Sequence, residues 1–449
     1  MRPLIVMLFL FLFPLSVAAQ QENQESESKI KTKYVWTLEE SIEYALEHNL
    51  TVMQADLDLE SAGIGYTQSR MERLPDLSAS AGQSWSNGST IDPITSDFNT
   101  QSSSSTSLAL NSSMTLFNGF QLKNQINQSK LVAEQNELLL EETKNSIHLS
   151  VMEAYIQALY SKEAVTIAQN QLDASAKELE QAEGLFKGRS LTLKNLNDIQ
   201  AQYASNQYDL INAKTGYEQQ MLTLKQLLEL DNAVELELVA PPTDYAVKEV
   251  IQSQRVIFQS ALEFLPEVEA SKTNIEINNA GLQIAKGSLY PSLSLNGRLS
   301  SGYTNSMGLP FTDQLEGNFS QLLGVSLSIP IFNRFSTSTN IQQAKINIKQ
   351  AELNYQSTQK ELYRKIESAW LSASSSGEQM VAAETSREAA RSSYELAQAQ
   401  FNVGELTATE LIVAQTTLNT AELNYIQSKY LTILYTQLIE FYQGNPITL

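Results

Sequence analysis

The chain repeats itself once. Three short patterns occur in both halves in the same order: an Ala-Leu-Glu triplet, a Pro-x-Leu-Ser segment and an apolar-Phe-Asn triplet. The matching segments are 45–47 and 261–263, 74–78 and 290–294, and 116–118 and 331–333, so their spacing agrees within one position. This agreement indicates one duplicated unit, although the length alone would suggest about three domains. We predict repeat 1 at 37–240 and repeat 2 at 253–444, joined by a linker at 241–252.

Both repeats show the same predicted order of elements: a helix, a β-hairpin, a very long helix and a final helix. The first helix begins at the Thr37 capping box and is stopped by Pro75, whereas Pro266 is expected to kink or break its counterpart. The hairpin, long helix and final helix are predicted at 76–116, 121–183 and 190–230 in repeat 1, and at 292–332, 336–401 and 405–443 in repeat 2.

The hairpins alternate apolar residues with small polar ones. Leu108 and Leu110, for example, flank Ala109 and are followed by Asn111. This period of two predicts four strands of about ten residues, with polar loops at 86–105 and 302–318. Such strands match the wall of a transmembrane β-barrel, and a small soluble sheet is the alternative that the pattern leaves open. Aromatic residues near the strand ends are candidates for the interfacial girdles: Trp85, Phe117, Phe120, Tyr303, Phe332 and Phe335.

Four strands cannot close a barrel, and an open sheet edge in lipid would leave backbone groups unpaired. The chain is therefore expected to oligomerise. Two copies would give an eight-stranded barrel with a filled interior, whereas three copies would give twelve strands and room for a lumen.

The long helices carry a seven-residue repeat, which predicts helix-on-helix packing with a supercoil. Sixty helical residues span roughly 90 Å, and the two shorter helices of each repeat are expected to stack end to end beside this rod. The turns at 186–189 and 401–404 then form the tips farthest from the membrane. We expect Gly188 and Gly404 to take the left-handed geometry that ends a helix.

The N-terminus and the composition restrict the class of protein. A positively charged start, an apolar run and small residues predict a signal peptide at 1–19, followed by a flexible segment at 20–36. The net charge of −20 argues against a nucleic-acid partner. The chain has no cysteine and only two histidines, far apart, and it shows no phosphate loop or catalytic set. We therefore predict no catalytic residues, no cofactor and no metal site, and thus no enzyme.

The residues resemble the TolC family of outer-membrane efflux proteins over essentially the whole mature chain. The resemblance rests on the duplicated helix, hairpin and long-helix order, on the strand-to-helix junctions at 116–119 and 329–333, and on the tip at 401–405 with the helix that follows. It implies an α+β membrane protein: a homotrimer with a twelve-stranded β-barrel among outer-membrane lipids, continued by a long α-helical barrel through the periplasm of a Gram-negative bacterium.

The resemblance also implies partners and sites. A periplasmic adaptor would contact the helix tips, and the inner-membrane pump would be a proton-driven RND type or, as the alternative, an ABC type. The residues that the resemblance places at the adaptor contact are Phe186, Gly188, Phe401, Val403 and Gly404. Glu410 matches the first acidic position of the family's periplasmic entrance, with an ordinary solvent-exposed helix charge as the alternative. The second acidic position is Val413 here, and Arg334 stands where members often carry glycine.

The resemblance implies the first two of the following functions, and the coiled-coil pattern leaves a third open. The first is the outer-membrane channel of a tripartite pump, passively exporting small toxic molecules. The second is the channel of a type I protein secretion system, which shares that architecture. The third, of another class, is a periplasmic coiled-coil scaffold or adaptor that forms no channel.

Overall fold

The computed structural model describes residues 33–91, 96, 98–231, 234–241 and 252–447. The predicted signal peptide at 1–19 lies outside these residues, as do 20–32 of the segment predicted to be flexible and 242–251 of the linker. Repeat 1 begins before the predicted residue 37, because it includes β1 (Lys33–Trp36). It also contains α1 (Leu38–His48), α2 (Leu50–Met71), β2 (Ser78–Ile91), β3 (Phe98–Asn118), α3 (Gln121–Lys187), α4 (Leu193–Leu227) and β4 (Glu235–Leu238). Repeat 2 contains α5 (Gln254–Phe264), α6 (Pro266–Gly287), β5 (Ser292–Thr304), α7 (Phe311–Gly317), β6 (Ser320–Ser328), α8 (Ser336–Asn402) and α9 (Ala408–Tyr442).

Each repeat is built around one long rod. The helices α3 and α8 have 67 residues each and are therefore about 100 Å long. The first half of α3 packs against α2 and α6, and its second half packs against α4, while α8 packs against α6 and α9. No helix among the described residues is both long and apolar enough to cross a membrane.

The first helix of each repeat is broken at the same place. In repeat 2 the break falls at Leu265, before Pro266, as expected. In repeat 1 the prediction of one continuous helix is wrong, because the chain turns extended at Asn49, the position equivalent to Leu265. The Asn49 side chain replaces the lost helical bonds: its oxygen accepts from the Thr51 N–H at 2.9 Å, and its Nδ2 donates to the Leu227 carbonyl at 2.9 Å. The second bond joins the start of α2 to the end of α4, so these helices stack end to end.

The four-stranded sheet has the order β2-β3-β5-β6, and all neighbouring strands are antiparallel. The hairpins share one register, since Ala79 opposes Leu110 in repeat 1 and Leu295 opposes Val325 in repeat 2. The strands depart from the predicted ten residues: β2 has 14 and β3 has 21, so most of the loop expected at 86–105 is paired strand. The loop expected at 302–318 contains α7. β2 and β6 each keep one edge without a partner strand among the described residues.

A small second sheet lies at the middle of the rods. β1 pairs in parallel with β4, so residues 33–36 are not part of a flexible segment as predicted. The buried Tyr155 hydroxyl is within hydrogen-bonding distance of the Trp36 carbonyl (2.9 Å) and of the Val239 carbonyl (2.8 Å), which ties this sheet to α3. No local sequence pattern predicts this pairing, because the two strands lie at opposite ends of repeat 1.

Candidate functional site

The two faces of the four-stranded sheet differ in chemistry. Because directly opposed residues of an antiparallel pair share a face, the register places the leucines and valines of β3, β5 and β6 together, with Leu322 as an exception. These side chains are partly or largely exposed in the single chain, including Leu299, Leu323, Val325 and Leu327. The opposite face carries serine, asparagine, glycine and threonine almost throughout. This pattern is the one expected of a sheet with one side in lipid and the other in water.

The predicted girdle aromatics lie at two levels of this sheet. At one level Phe117 contacts Phe120 edge to face, with ring centroids 5.3 Å apart, and Phe332 contacts Phe335 at 6.0 Å. At the other level Tyr303 lies 5.2 Å from Phe311 of α7. The aromatic pairs of the first level are equivalent in the two repeats. β6 ends at Ser328, so Phe332 lies beyond the strand rather than at its predicted end.

Trp85 belongs to the second level, that of Tyr303, and it lies in the middle of β2 rather than near a strand end as predicted, because β2 continues to Ile91. It opposes Ser104, next to Ser105, which in turn opposes Thr304, and it is 78% exposed. Phe117 opposes Leu293, ten positions from Tyr303 along β5. Ten strand residues span about 33 Å, or about 25 Å at a tilt of about 40°, which is the height of an outer-membrane apolar band.

The strand-to-helix junctions have the same backbone but different packing. Gly119 and Phe120 both have positive φ, and so do Arg334 and Phe335 in repeat 2. At Gly119 only glycine fits, because an added Cβ would lie 2.2 Å from the Gly287 carbonyl oxygen. Arg334 is exposed. In the single chain Arg334 therefore lies at the surface, whereas Gly119 packs against Gly287.

The helix tips close with the same hydrogen bonds, but the predicted role of one glycine is wrong. The N–H of Ser190 donates to the Leu185 carbonyl at 2.8 Å, and the N–H of Glu405 donates to the Gln400 carbonyl at 2.9 Å. This is the six-to-one bond of a Schellman cap, whose preceding residue is left-handed. That residue is Gly404, with φ of +80°, in the second tip, and Arg189, with φ of +60°, in the first.

Gly188 has a φ of −76° and is not left-handed. The long helices have equal length and the capping bonds correspond one to one, so the equivalent of Gly404 is Arg189 and not Gly188. A substitution of Gly188 by alanine meets only ordinary contacts, 3.5 Å from the nearest carbonyl oxygen.

The residues predicted to contact an adaptor differ in exposure. Val403 is 71% exposed and Phe186 is 38% exposed, so both lie on the outer surface of the tips. Phe401 is only 3% exposed and packs in an apolar cluster with Ala182, Ile199 and Leu411. Its predicted surface contact is not supported, because the ring is used to hold the two tips together.

Glu410 has a structural role that the sequence analysis missed. Its carboxylate accepts from the Thr407 N–H at 3.0 Å and from the Thr407 hydroxyl at 2.7 Å, while the Glu410 N–H donates to the Thr407 hydroxyl oxygen at 3.3 Å. This capping box begins α9, and the Thr-x-x-Glu spacing would have predicted it. The Thr407 backbone bond, followed by its hydroxyl bond, lowers the pKa of this exposed carboxyl. In the first tip Thr192 caps onto the backbone of Asn195, so the equivalent position carries no charge.

Two side-chain bonds near the tips join the repeats. The Tyr394 hydroxyl of α8 donates to the buried Glu178 carboxyl of α3 at 2.6 Å, and Gln181 donates to Asn402 at 2.8 Å. Burial raises the pKa of Glu178, and the Tyr394 bond opposes that shift. No sequence signal would have found either bond, because neither pair is close along the chain.

Among the described residues no group of three or more His, Cys, Asp or Glu side chains is placed to hold a metal ion. Of the two histidines, His148 is part-buried, and burial lowers its pKa. The features that the structure builds are a two-faced sheet, long rods and capped helix tips.

A sheet with an apolar outer face, continued by helical rods about 100 Å long, defines a channel protein with a long helical extension. The chain belongs to the outer membrane efflux protein family, whose model matches residues 41–229 and 257–437. The two matched stretches fall in the two repeats. The sequence resemblance to the TolC family is thus confirmed, and the protein is an outer-membrane efflux protein, of a family of channels rather than of enzymes.

Individual relatives are distant in sequence but similar over most of their length. The cation efflux system protein CusC of Escherichia coli O157:H7 is 22% identical over 88% of this chain and 84% of its own. The outer membrane protein TolC of Vibrio cholerae is 21% identical over 89% of each chain.

Solved structures show the same fold. A CusC crystal structure has a TM-score of 0.79 at 18% identity, covering 91% of this chain and 92% of CusC. The outer membrane channel CmeC of Campylobacter jejuni has a TM-score of 0.79 at 19% identity, covering 91% and 85%.

Proposed function

We propose that three copies of this chain form the outer-membrane exit duct of a tripartite efflux system, through which small toxic molecules leave the cell passively. The observation that supports this proposal most directly is that the repeating order of strands and helices in the single chain is unfinished at both ends. The sheet order is β2-β3-β5-β6 and the helix order is α2-α3-α6-α8. In the described part of the chain the last strand, β6, pairs only with β5, whereas its counterpart in repeat 1, β3, pairs with strands on both sides. In the same way α8 follows only α6 in the helix order, whereas its counterpart α3 lies between α2 and α6. Copying the contact between the repeats onto the next chain continues both orders into a ring.

The surfaces that would meet between copies carry exposed apolar side chains. On α2 the exposed residues Leu50, Met53 and Leu57 follow helical spacing, and on α8 Ile346 and Leu353 lie two turns apart. An α2 face against the next chain's α8 would repeat the packing of α6 against α3. Three copies give twelve strands, which leave a lumen, whereas eight strands would have a filled interior.

The register between copies follows from the same operation. Leu110 of β3 opposes Leu299 of β5 at the contact between the repeats. The position equivalent to Leu110 in repeat 2 is Val325, and the position equivalent to Leu299 in repeat 1 is Gln83. We therefore expect Val325 of one copy to oppose Gln83 of the next. Cα atoms of opposed strand residues lie about 4.5 to 5.5 Å apart, within reach of a disulfide. The chain has no cysteine, so engineered pairs have a clean background.

The test of the ring uses the double variant Gln83→Cys/Val325→Cys in isolated outer membranes. Under oxidation we expect a covalent species of three chains, reversed by reductant. The matched control is Ser84→Cys/Val325→Cys, whose two side chains point to opposite faces of the sheet. Equal cross-linking of both pairs, or dimers as the final product, would refute the trimer.

The adaptor and the pump are further parts of the proposal. The exposed tip residues Val403, Gly404 and Phe186 support a contact with a periplasmic adaptor, which would connect the duct to a proton-driven or an ATP-driven inner-membrane pump. Deletion of the gene is expected to sensitise the cell to dyes and detergents, with recovery on complementation. Unchanged tolerance together with lost export of a protein would instead indicate a type I secretion channel.

A further inference from the structure

The polar face of the sheet contains two exceptions to its composition. Among the described residues of the four strands Arg298 is the only charged one. Leu322 is the only large apolar residue among the described side chains of that face, whose other members apart from Arg298 are serine, threonine, asparagine, glycine and alanine.

The two exceptions are direct neighbours. Arg298 of β5 opposes Leu322 of β6 on one side and Asn111 of β3 on the other. Opposed side chains in an antiparallel sheet have Cβ atoms about 4.5 to 5.5 Å apart, so a guanidinium and an isobutyl group lie side by side. Leu322 is 61% exposed. Within the part of the chain that the structure describes, Arg298 is exposed, and its guanidinium has neither a hydrogen bond nor an ion pair.

The general rules for β-barrels explain why Arg298 lies on the polar face, but they do not explain why that face carries an arginine at all. A charge on the lipid face of a barrel is destabilising, so an arginine in these strands belongs on the polar face. The other polar residues of that face are uncharged, such as Asn296 and Ser326, which form a hydrogen bond with each other. A cation with free donors beside an exposed apolar group has the chemistry to bind an anionic head group together with the start of its apolar tail.

We propose that Arg298 and Leu322 form a contact site for anionic amphiphiles in the wall of the duct. The inference rests on the proposed function, because the polar face lines a lumen only in a closed ring. Three copies then place three guanidinium groups around the barrel. The barrel segment favours anions, although the chain as a whole carries a charge of −20.

The first test measures ion selectivity in planar bilayers under a potassium chloride gradient. We expect Arg298→Gln to shift the reversal potential toward potassium selectivity, more strongly at low ionic strength. Arg298→Lys is expected to keep the wild-type value, because it keeps the charge. Arg334→Gln, which removes an arginine outside the sheet, serves as the matched control. Open channels with equal reversal potentials for wild type and Arg298→Gln would overturn the inference but not the proposed function, whereas the absence of any channel would overturn both.

The second test separates the charge from the apolar group. We expect octyl sulfate to reduce the conductance, and its half-blocking concentration to rise about tenfold in Arg298→Gln, since charge-assisted contacts are the strong ones. Leu322→Ser should raise the octyl sulfate value about threefold through lost apolar contact and leave the reversal potential unchanged. Octyltrimethylammonium, with the same tail and opposite charge, should block no less in Arg298→Gln. Equal loss of block for both amphiphiles would overturn the proposed head-group recognition.

A labelling experiment checks the orientation without relying on conductance. A charged, water-soluble thiol reagent is expected to modify Arg298→Cys and to spare the adjacent Leu299→Cys, which lies on the lipid face. Protection of Arg298→Cys by octyl sulfate would support the site. Modification of Leu299→Cys in place of Arg298→Cys would overturn it.

Discussion

Glu178 and Tyr394 join the two repeats near the helix tips, with the tyrosine hydroxyl donating to the carboxyl at 2.6 Å. One lies on α3 and the other on α8. The two long helices align from their first residues, Gln121 and Ser336. In this alignment Glu178 and Tyr394 miss being equivalent positions by one residue. The counterpart of Glu178 is Ser393 and that of Tyr394 is Leu179. The bond is therefore specific to this contact and has not been duplicated with the repeat.

The Glu178 contact makes stability depend on pH. Because burial raises the pKa of Glu178, the folded chain binds this proton more tightly than the unfolded chain does. The stability from this group is fully present below the unfolded pKa of about 4.3 and is lost as the pH rises through the raised folded pKa. We expect Glu178→Gln to flatten the dependence of the thermal unfolding midpoint on pH above the unfolded pKa.

The control for this prediction is Glu180→Gln, on the same helix but exposed. It should keep the wild-type slope in thermal melts recorded at one scan rate. If the slopes of wild type and Glu178→Gln coincide, the buried carboxyl does not couple folding to protons.

The tip glycines should respond differently to alanine. Gly404 has a φ of +80°, which costs an L-residue about 1 kcal/mol, so Gly404→Ala should destabilise the fold by that amount per chain. Gly188→Ala is expected to be neutral or slightly stabilising, because φ is already −76°. Arg189→Gly should stabilise, since Arg189 holds the left-handed position of the first tip. Thermal midpoints of the three variants check the order, and a larger loss for Gly188→Ala than for Gly404→Ala would contradict it.

The strand-to-helix junction of repeat 1 should tolerate no side chain. We expect Gly119→Ala to prevent normal assembly, because its Cβ would overlap the Gly287 carbonyl and the φ of +64° is unfavourable as well. The measurement is the amount of heat-modifiable protein in the outer membrane. Gly297→Ala is the control, since an added Cβ there meets no atom within 4 Å. Wild-type amounts of Gly119→Ala would show that the close approach is not needed.

The carboxylate of Glu410 should act as a fixed charge. Its pKa is lowered by the Thr407 bonds, so it remains ionised throughout about pH 5 to 8. We expect Glu410→Gln to reduce preference for cations in planar bilayers by a similar amount at every pH in that range. Glutamine preserves the capping box, so the helix start is retained.

Glu405→Gln is the comparison for that experiment, because it removes an exposed carboxylate of the same tip that forms no capping box. Equal effects of the two substitutions would show that total tip charge matters and that the position of Glu410 does not.

Sequence alone determined the duplication, the alternating strands, the long rods and the family. Each of these features follows from residues that recur at a short regular spacing or from a motif that occurs in both halves. The sequence also located the break at Pro266. It did not locate the break at Asn49, where no proline stands and where the side chain bonds to Leu227 from another helix.

Only the tertiary structure decided which residues meet. It paired β1 with β4, joined Glu178 to Tyr394, buried Phe401 between the tips, and moved the left-handed cap of the first tip from Gly188 to Arg189. The physical reason is that a period fixes the face on which a side chain lies, whereas hydrogen bonds and burial depend on what approaches that face from distant parts of the chain.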